Sequence, residues 1–550
     1  MKTRLISLTA LLLTAFSIGF AQTANDTIRR TVLVESVYNP VLASSEKRSF
    51  LPDEQPPVTN REAVVYADQS HDPGNLLREP FGSGAATLRH ERLLPAYLRL
   101  GYGTRNNADV LGLYRVSLGR NDALRLGASI TGWNTNIPYE GLTALPVDSG
   151  LWKSRRYDTY LHIGYAHEGR TRFGMEGDFG YYTRNFLSIP ASTSYDTDTQ
   201  NSLSYGGSAY LDAPLSKIPA SIGLKGGFHR WQNSAWLGKE LVNAENHAEL
   251  DADFVYRFRK AQLNIGLTND LLHYQNLPDT LSHYYFGLHP QWVVKGKQGS
   301  VALGFNMDVQ PADSQRVQFS PNCLFTLTPA APLRVDLAVD GGRDLHTFQK
   351  LYQLSPWWAA DVPLPQAYTY LNTRLHAGVR VAEGFHLGVS GGYRITHNAL
   401  FAEARVTNGL LCTGLVNHDA NVWHVGADMS YEWKDLFRLT SEYTYYGWTG
   451  MDNAIALLAY APQMDWNTNL RVRLVKDLHA DATFRYRRFC DTGLGRQPDV
   501  ADLSLKADYR LHRFVNLYVS GENLLNRQNG FCPVYPAQGI RVVGGVVVRL

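Results

Sequence analysis

The chain has 550 residues, a formal net charge of +3 and 44% hydrophobic residues; aromatics make up 12%, with 31 Tyr, and there are 47 Gly. That length exceeds one ordinary soluble domain, yet no clear linker divides it. The near-neutral balance gives no reason to expect a nucleic-acid partner. Abundant Tyr and Gly at modest hydrophobicity suit a membrane β-barrel, whose inner face stays polar.

Lys2 and Arg4 precede an apolar run from Leu5 to Phe20, and Gly19 and Ala21 put small residues around a cleavage point. Residues 1–22 therefore read as a signal peptide that is removed on export. No Cys follows it, so a lipid anchor is not expected. No later apolar stretch reaches the roughly 18 residues that a membrane helix takes, so any crossing must be made by strands.

Residues 23–92 read as a separate periplasmic or lumenal segment, rich in Pro, Asn, Asp, Glu and Ser. Its strand-like runs are Thr31 to Leu42 and Ala63 to Tyr66, with Pro52, Pro56 and Pro57 between them.

Residues 93–550 change to regular alternation. Ala96, Leu98, Leu100 and Tyr102 alternate with Tyr97, Arg99, Gly101 and Gly103, and Leu124, Leu126, Ala128 and Ile130 with Arg125, Gly127, Ser129 and Thr131. Near the end, Leu503, Leu505, Ala507, Tyr509 and Leu511 alternate with Ser504, Lys506, Asp508 and Arg510. A strand turns successive side chains to opposite faces, so this period of two gives one apolar and one polar face. The reading predicts an all-β transmembrane antiparallel β-barrel of about 22 strands, each about ten residues long, with a short N-terminal extension. The final run, Ile540 to Leu550, needs a neighbour that does not lie further along the chain, and closure onto the first strand supplies it.

The links sort by parity. After even-numbered strands they are short, as near Arg120, His167, Arg259, Gly296, Ala382, Lys434, Lys476 and His512. After odd-numbered strands many are long: Asn134 to Arg156, Asn185 to Thr199, Arg343 to Ala367, Asn398 to Ala420, Gly447 to Trp466 and Asn523 to Gln538. Short periplasmic turns and longer outside loops are the pattern of outer-membrane barrels. Phe254, Tyr256, Phe258, Tyr431 and Trp433 near turn ends, and Tyr443, Tyr445, Tyr446 and Trp448 near a loop end, would form interfacial girdles.

Glu522, Asn523, Leu524, Leu525, Asn526 and Arg527, followed by Tyr535 and Pro536 and a last strand, resemble the C-terminus of TonB-dependent receptors, particularly those of the Bacteroidota. The resemblance implies a 22-strand barrel and uptake energised from the inner membrane. Such receptors carry a plug domain ahead of the barrel, and residues 23–92 show no plug-like glycine pattern; the last residue is Leu550, where such barrels often end in an aromatic. The family's coupling segment is a short extended run gripped by an inner-membrane energy-coupling protein through strand addition. Thr31, Val32, Leu33, Val34 and Glu35 are the candidate for it here, with an ordinary space-filling strand as the alternative.

Parity turns Arg374, Arg380, Arg394, Arg438, Arg471, Arg473, Arg485 and Arg487 into the lumen, together with Asp428, Glu432, Glu442, Asp481, Asp502 and Asp508. They supply either a path favouring anions or a lumen in which neighbours neutralise one another. His346, His397 and His418 lie in loops with no Ser, Asp or Cys at a compelling spacing, so no enzyme, cofactor or metal centre is expected. Of the four cysteines, Cys412, Cys490 and Cys532 fall at the loop end, where a bridge such as Cys490 to Cys532 is one arrangement and free thiols another.

The expectation is a receptor-like barrel in the cell outer membrane of a Gram-negative bacterium, surrounded by outer-membrane lipid, that passes a nutrient or small molecule. The alternative is a structural or assembly barrel that holds outer-membrane partner proteins.

Overall fold

A computed structural model describes residues 95–139, 150–188, 199–234, 243–276, 282–310, 316–330, 332–359, 365–407, 409–434, 436–492, 497–528, 530, 532 and 534–550. The export signal, the N-terminal segment and the candidate coupling residues Thr31 to Glu35 lie outside the described residues.

The described chain forms a single antiparallel sheet closed on itself with 22 staves. Twenty-one staves are unbroken strands. The twelfth is split into Val317–Pro321 and Cys323–Ala330, both paired with Gly299–Val309. The first strand, Ala96–Gly103, pairs with the last, Arg541–Arg549, from Tyr97 opposite Arg549 to Gly103 opposite Val543. Two further bonds lock the seam: Ala96 N–H to Leu550 O at 3.1 Å and Leu550 N–H to Ala96 O at 2.9 Å. Closure leaves no edge strand unpaired. At the seam the backbones approach so closely that a Cβ on Gly545 would lie 2.2 Å from Leu100 O.

Alternation decides which way each side chain points. Leu98, Leu100, Leu161, Ile163, Leu303, Val389, Val425, Leu505 and Val519 are exposed on the outer face. Their strand neighbours Arg99, Ser129, Asp158, Asn306 and Asp508 are buried on the inner face. An exposed aliphatic belt is what lipid requires and water does not tolerate. Aromatics cluster at the turn end: Phe258 packs against Tyr256 at 4.6 Å and Trp292 at 4.9 Å, and Tyr431 lies between Phe385 and Phe437.

The links after even-numbered staves are short throughout, as the sequence predicts. The loop end differs from expectation in more than one place: Asn134 to Tyr139 and Gly150 to Arg155, expected in a link, continue the ladder of their staves, and the largest departure lies further along. Asn398 to Ala420 is not an open loop, because Phe385–Thr407 and Leu410–Trp433 run on as a hairpin of 23- and 24-residue strands. A bilayer crossing takes only about 9–11 residues, so this hairpin projects well past the membrane. A break in register between Thr396 and Ala399, with Asn398 at a φ of 54°, lets its outer half bend away from the wall.

Candidate functional site: a roof over the loop end

Three links, which follow the thirteenth, fifteenth and twenty-first staves, meet over the loop end of the barrel and are pinned to the wall formed by its fourth to ninth staves. The first, 345–366, carries a seven-residue helix, α1 (Phe348–Leu354). The Thr347 hydroxyl accepts the Lys350 N–H, and the Glu245 carboxylate of the far wall accepts the Phe348 N–H at 2.9 and 3.1 Å. Phe348 lies against Tyr274 of the wall and against Trp358. The Tyr352 hydroxyl donates to Asp158 at 2.6 Å. Trp357 donates its indole N–H to Asn185 O at 2.8 Å, stacks on Tyr535 at 4.5 Å and meets Trp152 edge-on at 5.4 Å.

The second link is the hairpin tip. Leu410 and Leu411 pair with Ser188 and Leu187, a two-residue strand that follows the fifth stave, whereas the hairpin belongs to the fifteenth and sixteenth. Trp358 bridges Thr413, with Thr413 N–H to Trp357 O and Ala359 N–H to Thr413 O both at 2.9 Å. The third link is 523–540, whose Tyr535 hydroxyl donates to Leu411 O and accepts the Leu187 N–H at 3.4 Å. One phenol thus ties the C-terminal loop, the hairpin tip and the far wall together.

The resulting cluster is deeply buried. Trp231, Trp358, Leu272, Tyr274, Tyr285 and Leu411 are all fully buried, among Ile137, Trp152, Phe186 and Leu351. Burying each large apolar side chain contributes roughly 1.5–3 kcal/mol. A second cluster of Ala399, Phe401, Ala420, Met451, Leu458 and Cys490 braces the hairpin on its other flank. Burial pushes the Tyr535 and Tyr352 phenols well above their ordinary range, so both stay protonated and keep donating. Burial also raises the Cys532 thiol to about 11 and lowers His346 to about 4.

The motif residues of the C-terminus prove to be architectural. Asn523 and Asn526 adopt left-handed backbone conformations, and the Asn523 side chain donates to Arg527 O at 2.7 Å and Gln538 O at 2.6 Å, closing the base of the third loop. Glu522 pairs with Arg541 across the final two strands.

The arginines assigned to the lumen do not form a bare cationic ladder. Arg374 pairs with Asp340, Arg438 with Glu432 at 2.9 Å, Arg471 with Asp481 at 2.6 Å and Arg487 with Asp465 at 2.6 and 3.0 Å. Arg380 and Arg394 stand across from His386 and Asn372, and Arg473 and Arg485 from His479 and Asp502. Of the loop histidines, His346 is buried in the roof with its ring bonded to Pro365 O at 2.7 Å, His397 pairs with Asp419 at 2.6 Å, and His418 contacts Asp419 O at 2.6 Å. Among the described residues, His247, Glu249 and Asp270 lie close enough for a cation, but Lys225 holds Glu249 at 2.8 Å and Arg343 holds Asp270 at 3.2 Å. No disulfide joins any two of the four cysteines; Cys490 packs in the bracing cluster and Cys532 beside Ser355.

Sequence reading passed over the roof. The available signal was Phe348, Tyr352, Trp357 and Trp358 crowded into one link, too apolar for a solvated loop.

No protein-family profile matches the chain, and no curated protein is similar to it in sequence. Solved structures share its fold. The Pseudomonas aeruginosa ferric enterobactin receptor mutant R480A, in complex with enterobactin, superposes with a TM-score of 0.62 at 11% identity, over 83% of this chain and 81% of that one. The siderophore receptor PirA from Acinetobacter baumannii gives 0.60 at 10% identity over 83% and 80%, and the copper transporter OprC 0.57 at 11% over 83% and 81%. At such identities the likeness is one of architecture, that of a closed 22-strand antiparallel β-barrel.

Proposed function

We propose that the chain is a TonB-dependent-receptor-like protein of the Gram-negative outer membrane that passes a nutrient or small molecule through its barrel. The observation carrying this reading is the roof. A lipid-facing barrel with a charged inner wall is closed at its loop end by its own links, through side-chain contacts and a two-residue strand pairing separate from the wall ladders. Such a cover can lift while the 22 staves stay paired. Supporting it are the C-terminal resemblance and the receptors and transporters that share the fold. Thr31 to Glu35 are the segment we assign to an inner-membrane energy-coupling protein, by strand addition.

Planar-bilayer recording tests it. The native barrel should conduct little, and deletion of 345–366 should give a large steady conductance. A heat-modifiable, correctly folded deletion variant that remains electrically silent would exclude transport, and co-purification with fixed partners would then favour the scaffold reading.

A further inference from the structure

One ring of the roof is held more elaborately than closure requires. Tyr352 of α1 sits in a receptacle built by three staves of the far wall. Arg156 and Asp158 come from Gly150–Glu168, Tyr182 and Arg184 from Arg172–Asn185, and Trp231 from Ala220–Ser234. Wall register brings them together, with Arg156 opposite Arg184 and Asp158 opposite Tyr182. The Tyr352 ring lies 4.8 Å from Tyr182 and 5.1 Å from Trp231. The Arg184 and Arg156 guanidinium carbons stand 5.0 and 5.6 Å from its centre, and its hydroxyl donates to Asp158 at 2.6 Å.

Arg184 is the telling residue. It is fully buried, bonds only the neutral Ser202 hydroxyl at 2.8 Å and Gln200 carbonyl at 3.0 Å, and its Nε finds no acceptor among the described residues. A buried guanidinium whose own bonds go to neutral groups, with the Asp158 carboxylate only nearby, gains from a further electron-rich cover. An aromatic face is such a cover, and here the ring is supplied by a link rather than by the wall. A wall that only anchored a cover would gain more from aliphatic packing, which carries no desolvation cost.

Resting on the transport reading above, we infer that this receptacle is a ligand site for a hydroxylated aromatic ring, and that Tyr352 occupies it in the closed state as a stand-in. The cations and aromatic edges read the ring, and Asp158 reads the hydroxyl. An incoming phenol that takes the place of Tyr352 removes the Tyr352 share of the contacts between α1 and the wall, leaving those of Phe348, and so loosens the link.

Calorimetric titration of the full chain in detergent tests the site, using p-cresol, toluene (ring without hydroxyl) and cyclohexanol (hydroxyl without ring). In Tyr352→Ala, p-cresol should bind saturably and about ten-fold more tightly than either control. Adding Asp158→Asn should abolish the advantage over toluene. Absence of saturable binding, or equal binding of the three probes, overturns the inference. Gly-Tyr-Gly run beside p-cresol separates sources: tighter binding of the peptide points to a tyrosine side chain, tighter binding of p-cresol to a free phenol. The unaltered protein gives a reading that needs no substitution. There p-cresol should raise tryptic cleavage at Lys350 of α1 several-fold, and unchanged cleavage at high p-cresol counts against displacement. Bound p-cresol with no conductance in any variant would reject transport while leaving the receptacle standing.

Discussion

Leu411 pairs with Leu187 although their staves stand on opposite sides of the barrel, and the Tyr535 hydroxyl bonds the backbones of both. A two-residue ladder is too short to persist alone. Its stability is borrowed from Trp357, Trp152 and Tyr535 packed against it. The same short pairing that closes the mouth is therefore a place where it can part without disturbing the wall.

Tyr535→Phe keeps the ring and deletes the hydroxyl. Two buried backbone groups lose a partner, at a cost of about 1–3 kcal/mol. Open events of single barrels in a planar bilayer should become about ten-fold more frequent. The heat-modifiable gel shift should not change, because no stave pairing involves this hydroxyl.

Trp357→Ala removes a stacked ring, an edge contact and the bond to Asn185 O. The loss should be roughly 3–5 kcal/mol, as for other large-to-small changes in buried cores. Limited proteolysis should then cut within the links of the roof, while circular dichroism retains the full strand signal.

The barrel was legible because period two survives wherever one face meets lipid and the other the interior. Leu503 and Leu505 against Ser504 and Lys506 show it, and the parity of the links gives direction. The hairpin tip was not legible, for a physical reason. Leu400, Phe401 and Ala402, and likewise Leu410, Leu411, Cys412 and Thr413, are buried consecutively because both faces of that segment are covered. With no solvent or lipid side, alternation disappears. The receptacle escaped because Arg156 and Arg184 meet only through register, and Tyr352 joins them from a link nearly two hundred residues away. Parity assigns the lumen arginines a face but not their partners; the carboxylates that hold four of them come from the adjacent stave.

Those pairs set an expectation for ion selectivity. Asp340→Asn leaves Arg374, which is 46% exposed in its side chain, without its carboxylate. In a background lacking 345–366, reversal potentials under a KCl gradient should shift toward chloride, and more so at low ionic strength, where screening is weaker. An unchanged reversal potential would mean that the current does not pass Arg374.

Seam closure depends on Gly545. A Cβ there would meet Leu100 O at 2.2 Å, a backbone atom that cannot swing aside. Gly545→Ala should strain the ladder between the first and last strands by about 1–3 kcal/mol, enough to lower the urea midpoint for loss of the heat-modifiable form. The roof should be unaffected at low urea.

His346 gives the roof a pH dependence. Burial lowers its pKa to about 4 from an ordinary 6.5, with Asp344 opposing and Lys350 reinforcing the shift. Its ring, bonded to Pro365 O, stays neutral in the closed roof. Once the roof lifts, the imidazole meets water and takes a proton near its ordinary value. Because the closed-state pKa is depressed for a base, the closed roof loses stability as pH falls from about 6.5 to about 4, by roughly 3 kcal/mol at the acid end. Above pH 7 the residue has no effect on closure. Open probability should therefore rise as pH drops through that window, and His346→Gln, which carries no ionisable ring, should flatten the rise. A profile that climbs equally in both proteins would place the titrating group elsewhere in the roof.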